Sequence, residues 1–140
     1  MVYNYLGCRG ERNKVPKASA DSIRSFLMEF KKIASQKGIY VVDRDKNTAA
    51  LAELGLTESN RINEILSLSV ADYCGGPEKD QDRVGEVWIF GKQIDEREVY
   101  MKLKVATIKG SKSAEKKIAK CISFHAAEHP LRFPHRGNAK

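Results

Sequence analysis

The spacing of the apolar positions changes partway along the chain, from a helical period to an alternating one. Near the start, apolar residues recur every three or four positions, and this pattern predicts an amphipathic helix. The residues that form its apolar stripe are Ile23, Phe26, Leu27, Phe30 and Ile33. Ser19 or Asp21 can cap the start of this helix, and Gly38 suits the position just beyond its end.

Shorter elements are predicted between this helix and a glycine-rich break. The β-branched run at residues 39–42 predicts a strand or an extended link. Two short helices should follow, one over residues 48–54 and one that Thr57 caps. The sequence Gly75-Gly76-Pro77 is expected to end any regular element that reaches it.

Three strands are predicted in the second half of the chain. They cover residues 86–90, 98–106 and 118–125. Connections of hairpin length join them, so they should form an antiparallel sheet. Helices followed by such strands predict an α+β fold, with the N-terminal helices packed on one face of a curved antiparallel sheet.

Alternation along the last two strands separates a core face from a polar face. Ile122 and Phe124 are expected to point inward. The strand over residues 98–106 should contribute four apolar residues to the same face: Val99, Met101, Leu103 and Val105. The side chains expected on the opposite, open face are Tyr100, Lys102, Lys104, Ser123 and His125. The sequence therefore predicts a sheet surface that carries a phenol, two ammonium groups and an imidazole.

Length and composition restrict the class of protein. The 140 residues, of which 41% are hydrophobic, suit one domain over residues 19–136, with a basic arm at 1–18 and a tail at 137–140. The sequence has no run of about 18 apolar residues, so no membrane helix is expected. Three scattered cysteines argue against a disulfide framework. We therefore expect a cytoplasmic protein that does not bind membranes.

Positive charge is concentrated at the two ends of the chain, within a net charge of +7. Residues 99–140 contain ten Lys and Arg against two acidic residues, whereas residues 39–98 are net acidic. A basic third is typical of proteins that bind phosphates of nucleic acid. The alternative is a solvated surface that only keeps the protein soluble.

Several segments, in this order, resemble one protein family. The segments are LAELGLT (51–57), ILSLSVADYCGGPEKD (65–80), VWIFGK (87–92), EVYMKLKV (98–105) and ISFHAAEHPLRFPHR (122–136). Together they resemble the MqsR-type toxins of bacterial type II toxin–antitoxin modules. The resemblance covers residues 22–136, and it depends on the order and spacing of the segments rather than on any single one.

The resemblance implies a fold, an activity and partners. The fold would be RelE-like, and the activity a metal-independent endoribonuclease that cleaves mRNA and needs no cofactor. The partners would be mRNA and a cognate antitoxin, typically a small helix-turn-helix protein, with the ribosome as a further candidate. A non-catalytic domain that binds RNA or a protein partner on the same scaffold is the alternative.

Two positions depart from the family pattern. Better-studied members carry a lysine and a glutamine where this chain has Gly75 and Ile89. The residue after the phenylalanine of the last strand, a lysine in some members, is His125 here. The catalytic set would therefore be rebuilt or lost, and Lys79, Arg83 or Arg132 would be sources of replacement charge.

Metal-independent RNA cleavage needs a base, an acid and cations that stabilise the charged phosphate. His125 suits either proton-transfer role because the pKa of imidazole lies near neutrality. Tyr100 is a candidate for holding the phosphate or assisting proton transfer, and Lys102 is a candidate for stabilising the phosphate. The structural alternatives are a hydrogen-bonded histidine at a strand end, a half-buried tyrosine and a solvent-facing lysine.

A wider set of residues is expected to contact RNA. Its members are Lys79, Arg83, Trp88, Lys104, Arg132 and Arg136. A lone tryptophan in a strand is more often part of the core, and a basic tail is often only solubilising. The HxxxH spacing of His125 and His129 would suit a metal on a helix, but Pro130 argues against a helix there and no metal site is expected.

Overall fold

Three helices and a five-stranded sheet make up the part of the chain that the computed structural model describes, residues 17–109 and 115–136. The helices are α1 (Ala20–Lys37), α2 (Asp45–Leu54) and α3 (Glu58–Leu66). The strands are β1 (Ile39–Val41), β2 (Tyr73–Lys79), β3 (Glu86–Ile94), β4 (Arg97–Lys109) and β5 (Glu115–Ala126). The α+β prediction is confirmed. Of the predicted arm and tail, only residues 17 and 18 are described.

Local capping signals explain where the helices begin and end. The Ser19 hydroxyl accepts a hydrogen bond from the Ser22 amide, so Ser19 rather than Asp21 is the cap of α1. Thr57 caps α3 through a reciprocal pair of bonds with Asn60. Helix α2 begins three residues earlier than predicted and ends at Gly55, whose left-handed backbone suits glycine.

The sheet is mixed, with the strand order β1-β5-β4-β3-β2. Strand β1 runs parallel to β5, and all the other neighbours are antiparallel. The prediction that Gly75-Gly76-Pro77 ends regular structure is wrong, because β2 passes through these residues with two register shifts against β3. At Gly76, whose φ is 95°, a Cβ would lie 2.7 Å from the Val87 carbonyl oxygen, so glycine is required there.

The core lies between the helices and one face of the sheet. Val99, Met101 and Leu103 are fully buried on that face, as the alternation of β4 predicts. Ile122 does not join them, which corrects its predicted inward orientation. A bulge pairs Lys102 with Ser123 but Leu103 with Cys121, and therefore leaves Ile122 unpaired with β4.

The bulge in β5 is held by a buried asparagine of α2. The amide nitrogen of Asn47 donates to the carbonyl oxygens of Val42 and Ile122, at 2.9 Å each. Its oxygen accepts from the Phe124 amide at 2.9 Å. These bonds satisfy backbone groups next to the bulge and fix the register of the residues that follow it.

Within the described ranges, no helix is both long and apolar enough to cross a membrane.

Candidate active site on the open face of the sheet

The sheet face opposite the core is called the outer face from here on. On it, three polar residues of β4 pair with three polar residues of β5. The pairs are Tyr100 with His125, Lys102 with Ser123, and Lys104 with Lys120. Their alternation with buried neighbours on both strands places all six on this face. The outer face therefore unites the three residues predicted from the sequence as catalytic candidates.

Tyr100 and His125 form the centre of this arrangement. Their rings stack with centroids 5.4 Å apart and planes 26° apart. Burial, followed by the negative charge of Glu78, raises the pKa of Tyr100 to about 12, so the phenol keeps its proton at neutral pH. His125 Nδ1 lies 3.0 Å from the Ala126 carbonyl oxygen, which can only accept. Nδ1 therefore carries the proton, and Nε2 is the nitrogen that can take one.

Lys102 lies beside this pair, two residues along β4. It is half-buried, and its ammonium has no hydrogen-bond or ion-pair partner among residues 17–109 and 115–136. Ile89 flanks it on β3 and Ser123 on β5. A cation with its stem packed and its charge uncompensated suits an anionic ligand.

Arg44, which the sequence analysis did not select, also reaches the outer face. Its Nη1 donates to the Ser123 hydroxyl at 3.1 Å and to the Ile122 carbonyl at 3.3 Å. Its charge acts on Tyr100, where it partly opposes the upward pKa shift. Its partners are almost 80 residues away in the chain, so no local pattern could have identified it.

The two departures from the family pattern meet at this site. Gly75 pairs with Ile89 across β2 and β3, and Ile89 pairs in turn with Lys102. Ile89 is buried, with 8% of its surface exposed, although it lies on the outer face. This chain therefore has an apolar pair beside Lys102, where the resemblance implies a lysine and a glutamine.

Lys104 was predicted to contact RNA, but the structure encloses its ammonium. Nζ lies 2.6 Å from Asp80 Oδ2 and donates to the Val84 carbonyl at 2.7 Å, and both charged side chains are buried. The hydrogen bond from Lys104 is the main reason why the pKa of Asp80 falls to about 2. Lys104 therefore anchors the loop after β2 rather than presenting a free charge.

Trp88, which was also predicted to contact RNA, points into the core. Its ring stacks on Phe26 of α1 with centroids 4.7 Å apart, and only 9% of its surface is exposed. The structure thus supports the core alternative for Trp88 over base stacking.

The basic segment after β5 is attached to the fold. The Arg136 guanidinium stacks 3.5 Å above the centre of the Phe133 ring and pairs with Asp72 at 3.3 Å. Leu131 packs against Gly91, on the side of the sheet that carries Tyr100. Arg132 is exposed, as are Lys79 at the end of β2 and Arg83 in the loop that follows it. The RNA-contact role of these four cations stays a prediction.

Glu128 is an acidic residue that interacts electrostatically with His125. Lys46 lies 2.6 Å from its carboxylate and is the main cause of its lowered pKa, with smaller contributions from His125 and His129. Among residues 17–109 and 115–136, no three His, Cys, Asp or Glu side chains lie close enough to form a metal site.

Comparisons with protein-family models, with curated proteins and with solved structures found no match to this chain.

Proposed function

We propose that this protein is a metal-independent endoribonuclease and acts as the toxin of a type II toxin–antitoxin system. The observation that carries the proposal is the stacked Tyr100–His125 pair beside the uncompensated charge of Lys102. These groups match the three requirements of RNA cleavage: a proton acceptor, a proton donor and a phosphate-binding cation.

In the proposed reaction, His125 Nε2 removes the proton from a ribose 2′-hydroxyl and later releases it to solvent. The 2′-oxygen then forms a bond to the adjacent phosphorus while the bond from phosphorus to the 5′-oxygen breaks. Tyr100, protonated at neutral pH, donates its proton to the leaving 5′-oxygen and regains one from solvent. Lys102 and Arg44 stabilise the negative charge on the phosphate oxygens. The products are a 2′,3′-cyclic phosphate and a 5′-hydroxyl end.

The toxin role and the partners rest on the family resemblance and on the charge distribution. A basic C-terminal third suits mRNA as the substrate. A cognate antitoxin would neutralise the protein. Inducing this chain alone in bacteria should stop growth and deplete mRNA. Coexpression of a small helix-turn-helix protein encoded by an adjacent gene should restore growth.

A second candidate function is RNA or partner binding without catalysis. The apolar Gly75–Ile89 pair beside Lys102 favours it, because two polar residues implied by the resemblance are missing. An ideal Cβ at Gly75 meets only ordinary contacts of 3.8 Å or more. A Gly75→Lys variant should therefore fold. If the wild type does not cleave RNA but this variant does, the missing cation explains the lack of catalysis.

Cleavage of a labelled single-stranded RNA, in the presence of EDTA, tests the proposal. Wild-type protein should produce 2′,3′-cyclic ends, and His125→Gln should reduce the rate by about 100- to 10,000-fold, the usual contribution of a positioned proton-transfer group. His129→Gln, an exposed histidine four residues later, is the matched control and should retain the rate.

Both histidine variants should keep wild-type RNA affinity and lose less than about 1 kcal/mol of stability, because neither side chain is part of the hydrophobic core. Cleavage by His125→Gln at the wild-type rate would refute the acid/base role. Wild-type protein that binds RNA but produces no cyclic ends would support the non-catalytic alternative.

A further inference from the structure

An exposed tyrosine stands on the outer face at the edge of the sheet. Tyr40 lies on β1, whose other two residues, Ile39 and Val41, pack against the core. Alternation therefore directs Tyr40 to the outer face, where 54% of its surface is exposed. It pairs in register with Lys120 of β5, so the two side chains leave the same face from neighbouring positions.

Cations follow this tyrosine along one row towards the middle of the sheet. The row that starts at Tyr40 continues through Lys120 to Lys104 on β4. Burial lowers the pKa of Lys120, and the positive charges of Arg83 and Lys104 lower it further, whereas Asp80 raises it. Since Asp80 is already paired with Lys104, the charges of Lys120 and Arg83 are left without an acidic partner in the described part of the chain.

The loop that carries Arg83 is held in place by hydrogen bonds to Asp80. Asp80 Oδ1 accepts from the backbone amides of Asp82 and Arg83, at 2.9 and 3.3 Å, while its other oxygen binds Lys104. The Asp80 amide in turn donates to the Gly85 carbonyl at 2.9 Å. Arg83 is thus presented by an ordered turn, although the exposed carboxylate of Asp82 lies next to it.

This row lies close to the candidate active site. Lys104 is two residues from Lys102 along β4 and four from Tyr100, which corresponds to about 7 and about 13 Å. An exposed aromatic ring combined with neighbouring cations is the arrangement that single-stranded nucleic acid requires, since bases stack on the ring and phosphates meet the charges.

We propose that Tyr40, Lys120 and Arg83 form a second nucleotide subsite, in which one base stacks on Tyr40 and the adjacent phosphate binds Lys120 and Arg83. The subsite holds a nucleotide of the same strand that lies further along the outer face than the one at Tyr100 and His125, and in this respect it rests on the proposed function. It requires binding of single-stranded nucleic acid but not cleavage.

Fluorescence anisotropy with a labelled ten-nucleotide single-stranded DNA tests the subsite without cleavage, because DNA lacks the 2′-hydroxyl. Tyr40→Val keeps a residue that favours strands and removes the ring. It should weaken binding by about 5- to 150-fold, the range for loss of one base–aromatic stack. Tyr40→Trp should restore wild-type affinity, and its added indole fluorescence should be quenched by the oligonucleotide.

The charge part of the subsite has its own readout. Lys120→Met should reduce the slope of log affinity against log salt by about 0.7, the contribution of one single-strand phosphate contact. Lys32→Met removes an exposed lysine of α1 on the helix side and is the matched control with an unchanged slope. A ten-base-pair duplex is the ligand control, because its stacked bases cannot reach Tyr40.

Wild-type affinity of both Tyr40→Val and Lys120→Met for the single strand would overturn the subsite, even if the protein cleaves RNA. Equal losses on single strand and duplex would overturn the stacking role of Tyr40. Loss of binding on the single strand alone, with or without RNA cleavage by the wild type, supports the subsite and leaves the nuclease proposal to its own assay.

Discussion

The buried pair of Lys104 and Asp80 gives a sharp test of how this face of the sheet is built. Their charged atoms are 2.6 Å apart, and the side chains are only 3% and 8% exposed. Lys104→Met removes one charge and leaves the Asp80 carboxylate enclosed beside two backbone amides. Removing one partner of a buried pair costs about 3–5 kcal/mol. We expect a value near the lower limit, about 3 kcal/mol, because these two amides still solvate the carboxylate.

For a chain of this size, a loss of about 3 kcal/mol corresponds to a fall of about 10 °C in melting temperature. Thermal unfolding followed by circular dichroism measures it. Lys46→Met is the matched control, since Lys46 and Glu128 are also 2.6 Å apart but are 55% and 58% exposed. An exposed pair contributes less than about 1 kcal/mol, so this control should melt within about 3 °C of the wild type.

A second substitution separates loss of the pair from loss of packing. Asp80→Asn keeps an oxygen for the amides of Asp82 and Arg83 but has no charge. Added to Lys104→Met, it should recover most of the lost stability, because no buried charge remains. If Lys104→Met costs no more than the Lys46→Met control, the pair is screened like a surface ion pair and this reasoning is refuted.

Three further predictions concern stability. Gly76→Ala should lower the free energy of unfolding by about 2 kcal/mol or more, because the φ of Gly76 is 95° and an added Cβ would meet the Val87 carbonyl. The control Gly75→Ala adds no such contact and should stay within about 0.5 kcal/mol of the wild type. Urea unfolding measures both. Thr57→Ala should cost about 1 kcal/mol through loss of the α3 cap, and Thr57→Ser should largely restore it. Because the folded pKa of Asp80, about 2, lies below its ordinary 3.8, its contribution is complete above about pH 4 and is lost towards pH 2; acid titration of Asp80→Asn should show a smaller loss over this range than the wild type.

Features that depend on neighbours in sequence were predictable. The apolar stripe of α1, its Ser19 cap and the Thr57 cap are set by residues within one or two helical turns. The buried face of β4 follows from a period of two over a long strand. For the same reason, Tyr100 and Lys102 could be placed on a shared open face before any fold was known.

Features that depend on distant partners were not predictable. The glycine-proline segment of β2 reads as a break, and only pairing with β3 makes it a strand. The orientation of Ile122 follows from a bulge that Asn47 stabilises from another helix. A shift of one residue reverses every side chain that follows, so a local pattern cannot supply this information.

The same division applies to the candidate site. Sequence alone predicted that Tyr100, Lys102 and His125 lie on one open face, since strand alternation is a local property. Only the tertiary structure decided that Lys104 is enclosed by Asp80, that Trp88 packs in the core and that Arg44 reaches Ser123. The physical reason is that a charged or aromatic side chain acts through the groups it meets in space, and those groups come from loops and helices far away in the chain.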